Sequence, residues 1–216
     1  MCLIDLSKAF DKMNHYALLI KLMERKMPLQ LITIFALWFR CSKTCVKWGN
    51  CLSFFFPLTA GVRQGGVLSP SLFSIYIDSL VDKVIACKLG CHVSCISVSI
   101  LLYADDIVLL SPTVTGLQEL FQVCESELNA LDMKINAQKT ICVRFGPAFG
   151  ATCGNLITSN NSLIRWVNSC RYLGIYFVSG RVLRCSYDEA KCKFSEHSTR
   201  FLVKLDVLHQ RKLHLV

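Results

Sequence analysis

Asp105 and Asp106 stand side by side in LLYADDIVLL (101–110), between two aliphatic runs. An Asp-Asp pair at a hairpin turn is most often solvated turn chemistry. The other reading is chemical. Adjacent carboxylates repel one another unless divalent cations sit between them and a third acid. Two such cations, about 3.5–4 Å apart, can activate an attacking hydroxyl and stabilise a leaving phosphate oxygen. That arrangement needs a further carboxylate from another strand. Asp5 supplies it, ending the apolar run Cys2, Leu3 and Ile4, whereas Asp11 reads as the opening of a helix. A third stretch is GVRQGGVLSP (61–70). Its consecutive glycines allow close backbone approach to a flat ligand, Gln64 offers an amide and Arg63 a cation for phosphate. Alone, this loop is equally a tight turn before a helix. A rival cluster, Cys87, Cys91, His92 and Cys95 in CKLGCHVSC, lacks the C-x₂-C spacing of common zinc sites. We read it as buried free thiols at the end of a helix.

These residues need elements to position them. MCLID reads as a short buried strand ending at Asp5. Tyr16, Ile20, Met23 and Met27 share one face of a following helix, which Pro28 breaks; a second helix then runs to about Arg40. KTCVKWGNCLSFFFPL predicts a hairpin turning at Gly49-Asn50. Ser69-Pro70 opens a helix whose buried face is Phe73, Ile77, Leu80 and Val84. CISVSILL (95–102) and IVLL (107–110) predict strands on either side of the YADD turn. Thr113 or Thr115 caps a long helix with Leu117, Leu120, Phe121, Cys124, Leu128 and Leu131 on one face. ICVRF (141–145), SLIRWV (162–167) and RYLGIYF (171–177) read as strands. Paired strands with helices on one face predict an α+β domain.

The bulk composition narrows the partners. Lys and Arg number 24 against 15 Asp and Glu, a net charge of +9, which favours polyanions such as nucleic acid. Hydrophobic residues make up 53% of the chain, which argues against disorder and suggests apolar surface awaiting a partner. The 13 cysteines are odd in number and irregularly spaced, and MCLIDLSKAF has no secretory signal pattern. We therefore expect free thiols in a reducing compartment: an intracellular protein of cytoplasm or nucleus, not secreted. The apolar stretch 28–39 is too short to span a membrane, so no membrane partner is expected.

Taken together, the stretches resemble the palm of a reverse transcriptase of the non-LTR, LINE-like retrotransposon family. In that family an aspartate ends a strand and an aromatic follows five positions on; Asp5 and Phe10 match. R-Q-G followed by S-P is matched by Arg63, Gln64, Gly65, Ser69 and Pro70, and Y-A-D-D by Tyr103, Ala104, Asp105 and Asp106. A fourth signature, N-x-x-K-[ST], is matched by Asn136, Lys139 and Thr140, although Asp132 stands where the family often has glycine just upstream. A fifth, Y-L-G, is matched by Tyr172, Leu173 and Gly174. Five signatures in the family's order, from residue 5 to 174, are specific as a set.

The resemblance implies roles. Asp5, Asp105 and Asp106 would bind two Mg²⁺, with Mn²⁺ as a substitute. The backbone at Leu6 and Ser7 would pass along the incoming triphosphate. Phe10 would lie under the sugar and exclude a 2′-hydroxyl by bulk, making dNTP the substrate. Arg63, Gln64 and Gly65 would pack near the nucleotide, and Tyr103 on the primer terminus. Lys139 would donate a proton to departing pyrophosphate, and the hairpin of Tyr172, Leu173 and Gly174 would grip the primer. The implied partners are an RNA template, a DNA primer and dNTP. The implied organisation is a palm over 1–146, with helices and a hairpin inserted at 12–60, a primer-grip hairpin region over 147–186 and a truncated or degraded thumb or tail over 187–216. Four residues precede Asp5, and on this resemblance the family's fingers are expected to be missing from this chain. Two functions stay open: an RNA-directed DNA polymerase domain, inactive as this isolated chain, or a non-catalytic remnant that binds nucleic acid through its basic surface.

Overall fold

The computed structural model describes residues 1–63 and 65–186. Gln64 and the expected tail at 187–216 lie outside the described residues. The chain divides into two compact units: Met1–Cys142 with Cys153–Arg165, and Val143–Thr152 with the residues from Trp166 on.

The first unit begins with β1 (Cys2–Ile4), as the opening apolar run predicts. A single turn, α1 (Ala9–Lys12), leads to α2 (His15–Glu24), capped by the Asn14 side chain, which accepts from the Tyr16 and Ala17 amides. Pro28 then caps α3 (Leu29–Cys41), because its fixed φ suits a helix start. The expected hairpin follows as two nested ladders, β2 (Lys43–Thr44) with β5 (Phe56–Pro57) and β3 (Lys47–Trp48) with β4 (Cys51–Leu52). Its turn is at Gly49-Asn50, where Gly49 takes a φ of 59°.

Next comes α4 (Ser69–Ala86), with Phe73, Ile77, Leu80 and Val84 buried as their spacing predicts. A small hairpin, β6 (His92–Val93) with β7 (Ile96–Ser97), precedes β8 (Ile100–Tyr103) and β9 (Asp106–Leu109). The single expected strand over 95–102 is thus split between β7 and β8. Then α5 (Val114–Ala130) starts at Thr113, whose hydroxyl accepts from the Gly116 amide at 3.0 Å. Three strands complete the main sheet: β10 (Ile141–Cys142), β11 (Leu156–Ile157) and β12 (Leu163–Trp166).

The sheet order is β11-β12-β10-β1-β9-β8. The first strand is therefore central, paired antiparallel with β10 on one side and β9 on the other. Central placement explains its composition. Cys2 and Ile4 are buried, as are Ile107, Val108 and Leu109 opposite and Cys142 beside them. Both α4 and α5 pack on this sheet and on each other, with α2 against α4. Tyr76 ties these helices together: its hydroxyl donates to Leu131 O (2.8 Å) and accepts from the Asn14 amide (3.3 Å). The α+β architecture is the one expected.

Two expectations need correction. In α2 the buried face is His15, Leu18 and Leu22, whereas Tyr16, Ile20 and Met23 are exposed. This helix is apolar on most of its circumference, so periodicity offers two faces, and tertiary contacts choose. His15 decides it: its ring stacks on Phe39 at 4.2 Å and its Nε2 pairs with Gly61 O at 2.7 Å. Second, Cys87 and Cys91 are half-exposed and Cys95 exposed, not buried, and no metal-holding group forms there among the described residues.

In the second unit, RYLGIYF forms most of a hairpin rather than one strand. It runs β13 (Ser169–Tyr172), Leu173-Gly174, β14 (Ile175–Val178), and β15 (Arg184–Ser186) adds a third strand. Arg144 lies over the Trp166 ring at 5.3 Å in the same unit.

Candidate active site

The sheet register brings the two acidic stretches together. Ile4 on β1 pairs with Ile107 on β9, so one residue further Asp5 comes level with Asp106. On the other side of β9, Tyr103 pairs with Asp106, which leaves Ala104 and Asp105 as a two-residue loop. Ala104 takes a φ of 53°, the positive value that short hairpin loops demand at their first position. A non-glycine residue there costs about 1 kcal/mol or more, and the paired strands on both sides impose it. The loop thereby presents Asp105 and Asp106 at the mouth of a rigid hairpin, beside Asp5.

The backbone of Asp5 is held from the turn over 136–140, just before β10. Asn136 donates its amide to Asp5 O (2.9 Å), and the Asp5 amide donates to Thr140 Oγ1 (3.2 Å). Thr140 is fully buried. Asn136 closes its own turn as well, its side chain accepting from the Gln138 and Lys139 amides. This Asn-to-Thr stretch is the fourth signature, and its structural work is to clamp a residue far away in sequence. Sequence reasoning marked the stretch but assigned the clamp to neither Asn136 nor Thr140. Local spacing carries no signal that Thr140 meets Asp5.

Next to Asp5, Leu6 bridges Ile135, and the Ser7 amide donates to Lys134 O at 2.9 Å. That amide is committed to the protein, so Ser7 is a poor candidate for cradling phosphate through its N–H. Lys139 is exposed, and Tyr103 is exposed at the lip of the hairpin.

The electrostatics single out Asp106. Its side chain reaches solvent, yet the apolar strand floor beneath it raises its carboxyl above the usual range, and Asp105 and then Asp5 push the same way. The three acids therefore share one field. Among the described residues no group of three or more His, Cys, Asp and Glu is drawn together closely enough to hold a metal ion. The hard oxygen donors of these carboxylates are the type that magnesium takes, and a divalent cation would relieve the repulsion acting on Asp106.

A cleft of about 620 Å³ joins the remaining pieces; Phe10, Gly65, Gly66, Val67, Ser69, Pro70 and Asp105 line it. Phe10 forms its floor, stacked on Phe73 of α4 at 4.6 Å. Its carbonyl accepts from the Val62 amide at 2.8 Å, which ties the glycine loop to the segment after Asp5. Gly61 makes that approach feasible. It has a φ of 82°, and a Cβ there would fall 2.6 Å from Asp11 O. At the far end of the loop, Ser69 donates to Arg63 O at 2.6 Å. Phe10, the loop and Asp105 thus converge, although up to a hundred residues apart in the chain.

The second unit holds the fifth signature. Leu173 and Gly174 have φ values of 48° and 83°, the double positive of a tight hairpin loop. Tyr172 is half-buried and tilted against Phe177 at 6.4 Å.

An antiparallel sheet carrying three acids at its mouth, backed by helices and flanked by an aromatic-floored cleft, defines a polymerase palm. Comparisons with known proteins make the assignment specific. Residues 1–177 match the family described as reverse transcriptase (RNA-dependent DNA polymerase). The chain belongs to that family, on its non-LTR, LINE-like branch. It is 29% identical over 202 residues to the RNA-directed DNA polymerase from mobile element jockey of Drosophila melanogaster, covering 91% of this chain and 20% of that protein. It is 30% identical over 139 residues to the Pol polyprotein of the R2 element of Nasonia vitripennis, covering 64% of this chain and 14% of that one. The chain thus spans a fifth or less of these two relatives. In fold it is similar to apo telomerase from Candida tropicalis truncated from its C-terminal domain, with a TM-score of 0.60 and 16% identity over 86% of this chain and 34% of that one. Telomerase from Candida albicans, solved with a fragment of telomeric RNA, gives 0.57 and 14% over 84% and 30%. Reverse transcriptases as a family use divalent metal ions.

Proposed function

We propose that this chain is the catalytic palm of an RNA-directed DNA polymerase, transferring a nucleotidyl group from dNTP to a primer 3′-hydroxyl on an RNA template. The observation that carries this reading is the β1–β9 register, which sets Asp5 level with Asp106 beside the cleft floored by Phe10. Asp5, Asp105 and Asp106 would hold two magnesium ions. When bound, these supply charge neutralisation at the triphosphate and activation of the attacking hydroxyl. The protein's own work is positioning. The β8–β9 hairpin fixes the two carboxylates, and the clamp by Asn136 and Thr140 fixes the third. Phe10, braced by Phe73, offers a flat apolar face to a deoxyribose and leaves no acceptor for a 2′-hydroxyl. Arg63, Gln64 and Gly65 are assigned to contact the incoming nucleotide. Tyr103 supports the primer end, Lys139 is the proton donor to pyrophosphate, and Tyr172, Leu173 and Gly174 grip the primer. This reading assigns the palm to 1–146, the primer grip to 147–186 and a truncated or degraded thumb or tail to 187–216, in a reducing intracellular compartment.

The test is primer extension on an RNA template with Mg²⁺ and dNTP, wild type beside Asp105→Asn. Extension by wild type that is lost in the variant would establish catalysis by these acids. Salt-sensitive primer–template binding without extension would favour the non-catalytic remnant. In any extending form, Phe10→Ala should raise ribonucleotide incorporation, and unchanged discrimination would remove Phe10 from the sugar site.

A further inference from the structure

The glycine loop between β5 and α4 belongs to no ladder, yet its Gly65 and Gly66 line the cleft floored by Phe10. Its position therefore depends on what ties down its entry. Two ties are backbone bonds: the Gly61 amide donates to Met13 O at 2.8 Å, and the Val62 amide to Phe10 O at 2.8 Å. A third comes from a side chain. His15, the first residue of α2, places Nε2 2.7 Å from Gly61 O. A carbonyl oxygen only accepts, so Nε2 carries the proton and donates it.

A buried histidine on a carbonyl is ordinarily a satisfied core residue. Two observations give His15 more to do. First, its ring is already aimed. It is 7% exposed and stacks on Phe39 of α3 at 4.2 Å, with 12° between the planes. The N–H direction is thus fixed by packing before any ligand arrives. Second, its acceptor lies one residue from the site. Val62 follows Gly61 and is bonded to the backbone of Phe10, whose ring rests on Phe73 at 4.6 Å. Gly61 itself has a φ of 82°, where a backbone held less firmly has other conformations open to it. Movement of Gly61 O would shift the glycine loop relative to the braced Phe10 ring. The cleft would then change height although none of its lining residues had changed.

We infer that His15 is a positioning residue for the incoming nucleotide. By donating Nε2–H to Gly61 O, it sets the glycine loop at the height over Phe10 that a nucleotide requires. The inference rests on the polymerase reading of this cleft. His15 is not among the residues that line the cleft, so it acts through the loop and not by contact.

The test is calorimetric titration of dATP into the full chain with Mg²⁺, an RNA template and a dideoxy-terminated primer, so that no bond can form. Primer–template affinity is measured separately by fluorescence anisotropy. His15→Phe keeps a ring to stack on Phe39 and deletes the donor. Its dATP affinity should fall roughly 10-fold, the scale of a buried carbonyl left unpaired, with primer–template affinity unchanged. His15→Gln gives up the stack but returns an amide N–H to the same position, and should recover dATP affinity. Failure to recover would overturn the inference, and this variant decides alone if His15→Phe does not fold. Parallel loss of dATP affinity, primer–template affinity and melting temperature would make His15 a core residue only, and overturn it too. Wild-type dATP affinity in His15→Phe would overturn the inference while leaving the polymerase reading intact. No dATP binding by wild type would overturn the polymerase reading, and this inference with it.

Discussion

Two regions of the first unit solve opposite problems. The β1–β9 centre brings like charges over a floor of buried side chains, and the β2–β5 arm leaves rings in solvent within a stretch, Arg25 to Ile77, that contains no Asp or Glu. At the centre, position is everything. A central strand, a two-residue loop forced to positive φ and a clamp on the Asp5 backbone remove the freedom the carboxylates would use to separate. On the arm, two-residue ladders leave the strands barely paired, and rings stay exposed. The difference teaches where precision is needed. Chemistry on a phosphate requires fixed oxygens, whereas an exposed arm outside the site carries no such requirement.

The contrast can be broken or sharpened by experiment. The largest effect should come from Asp5→Asn, which removes the acid that the register predicts to be part of the centre. Extension in any active form should fall by at least ~100-fold, more than loss of an outer-shell partner. Single-turnover extension measures this, and retained activity would detach β1 from the chemistry. Leu109→Ala should cost about 2–5 kcal/mol in urea unfolding, because Leu109 is fully buried opposite Cys2. Leu52→Ala on the arm should stay within about 0.5 kcal/mol, being 63% exposed. Similar costs at both would erase the difference between floor and arm.

A smaller effect is expected at the clamp. Thr140→Val leaves the Asp5 amide without its acceptor, at about 1–3 kcal/mol, and Thr140→Ser should restore it. Terbium luminescence would show whether cation affinity falls by ~10-fold in Val and recovers in Ser. Loss of stability without loss of cation affinity would make Thr140 structural only. The smallest effect is on pH dependence. The folded chain holds the Asp106 proton more tightly than the unfolded chain, whose carboxyl titrates near the ordinary 3.8. Asp106 therefore contributes stability that is complete below that value and is lost as pH rises through the folded value. Urea midpoints in EDTA should show Asp106→Asn flattening this decline and exceeding wild type above it. An unchanged profile would mean that the three acids do not share a field.

Much of this was legible in the sequence because it was local. Thr113 caps α5, Pro28 starts α3, Gly49-Asn50 turns the arm, and α4 buries the four residues its spacing names. The face of α2 was misread because apolar residues surround that helix, and only His15 meeting Phe39 and Gly61 resolves the choice. The exposure of the thiols around Cys91 and the split of residues 95–102 into two strands escaped for a related reason. Both depend on a small hairpin whose turn carries Ser94 at a φ of 54°, a position that no glycine announces.

The sequence by itself determined which residues could do chemistry. Asp5 closes an apolar strand, Asp105 and Asp106 occupy a turn, and Phe10, Gly65 and Ser69 have the types and intervals of one family's signatures. Tertiary structure alone decided that these meet. Strand register sets Asp5 level with Asp106, and Thr140, 135 residues away, holds the Asp5 amide. The physical reason is that side-chain type and turn chemistry are local properties of the chain. Register and long-range hydrogen bonds arise only when separate strands bury their apolar faces in one sheet.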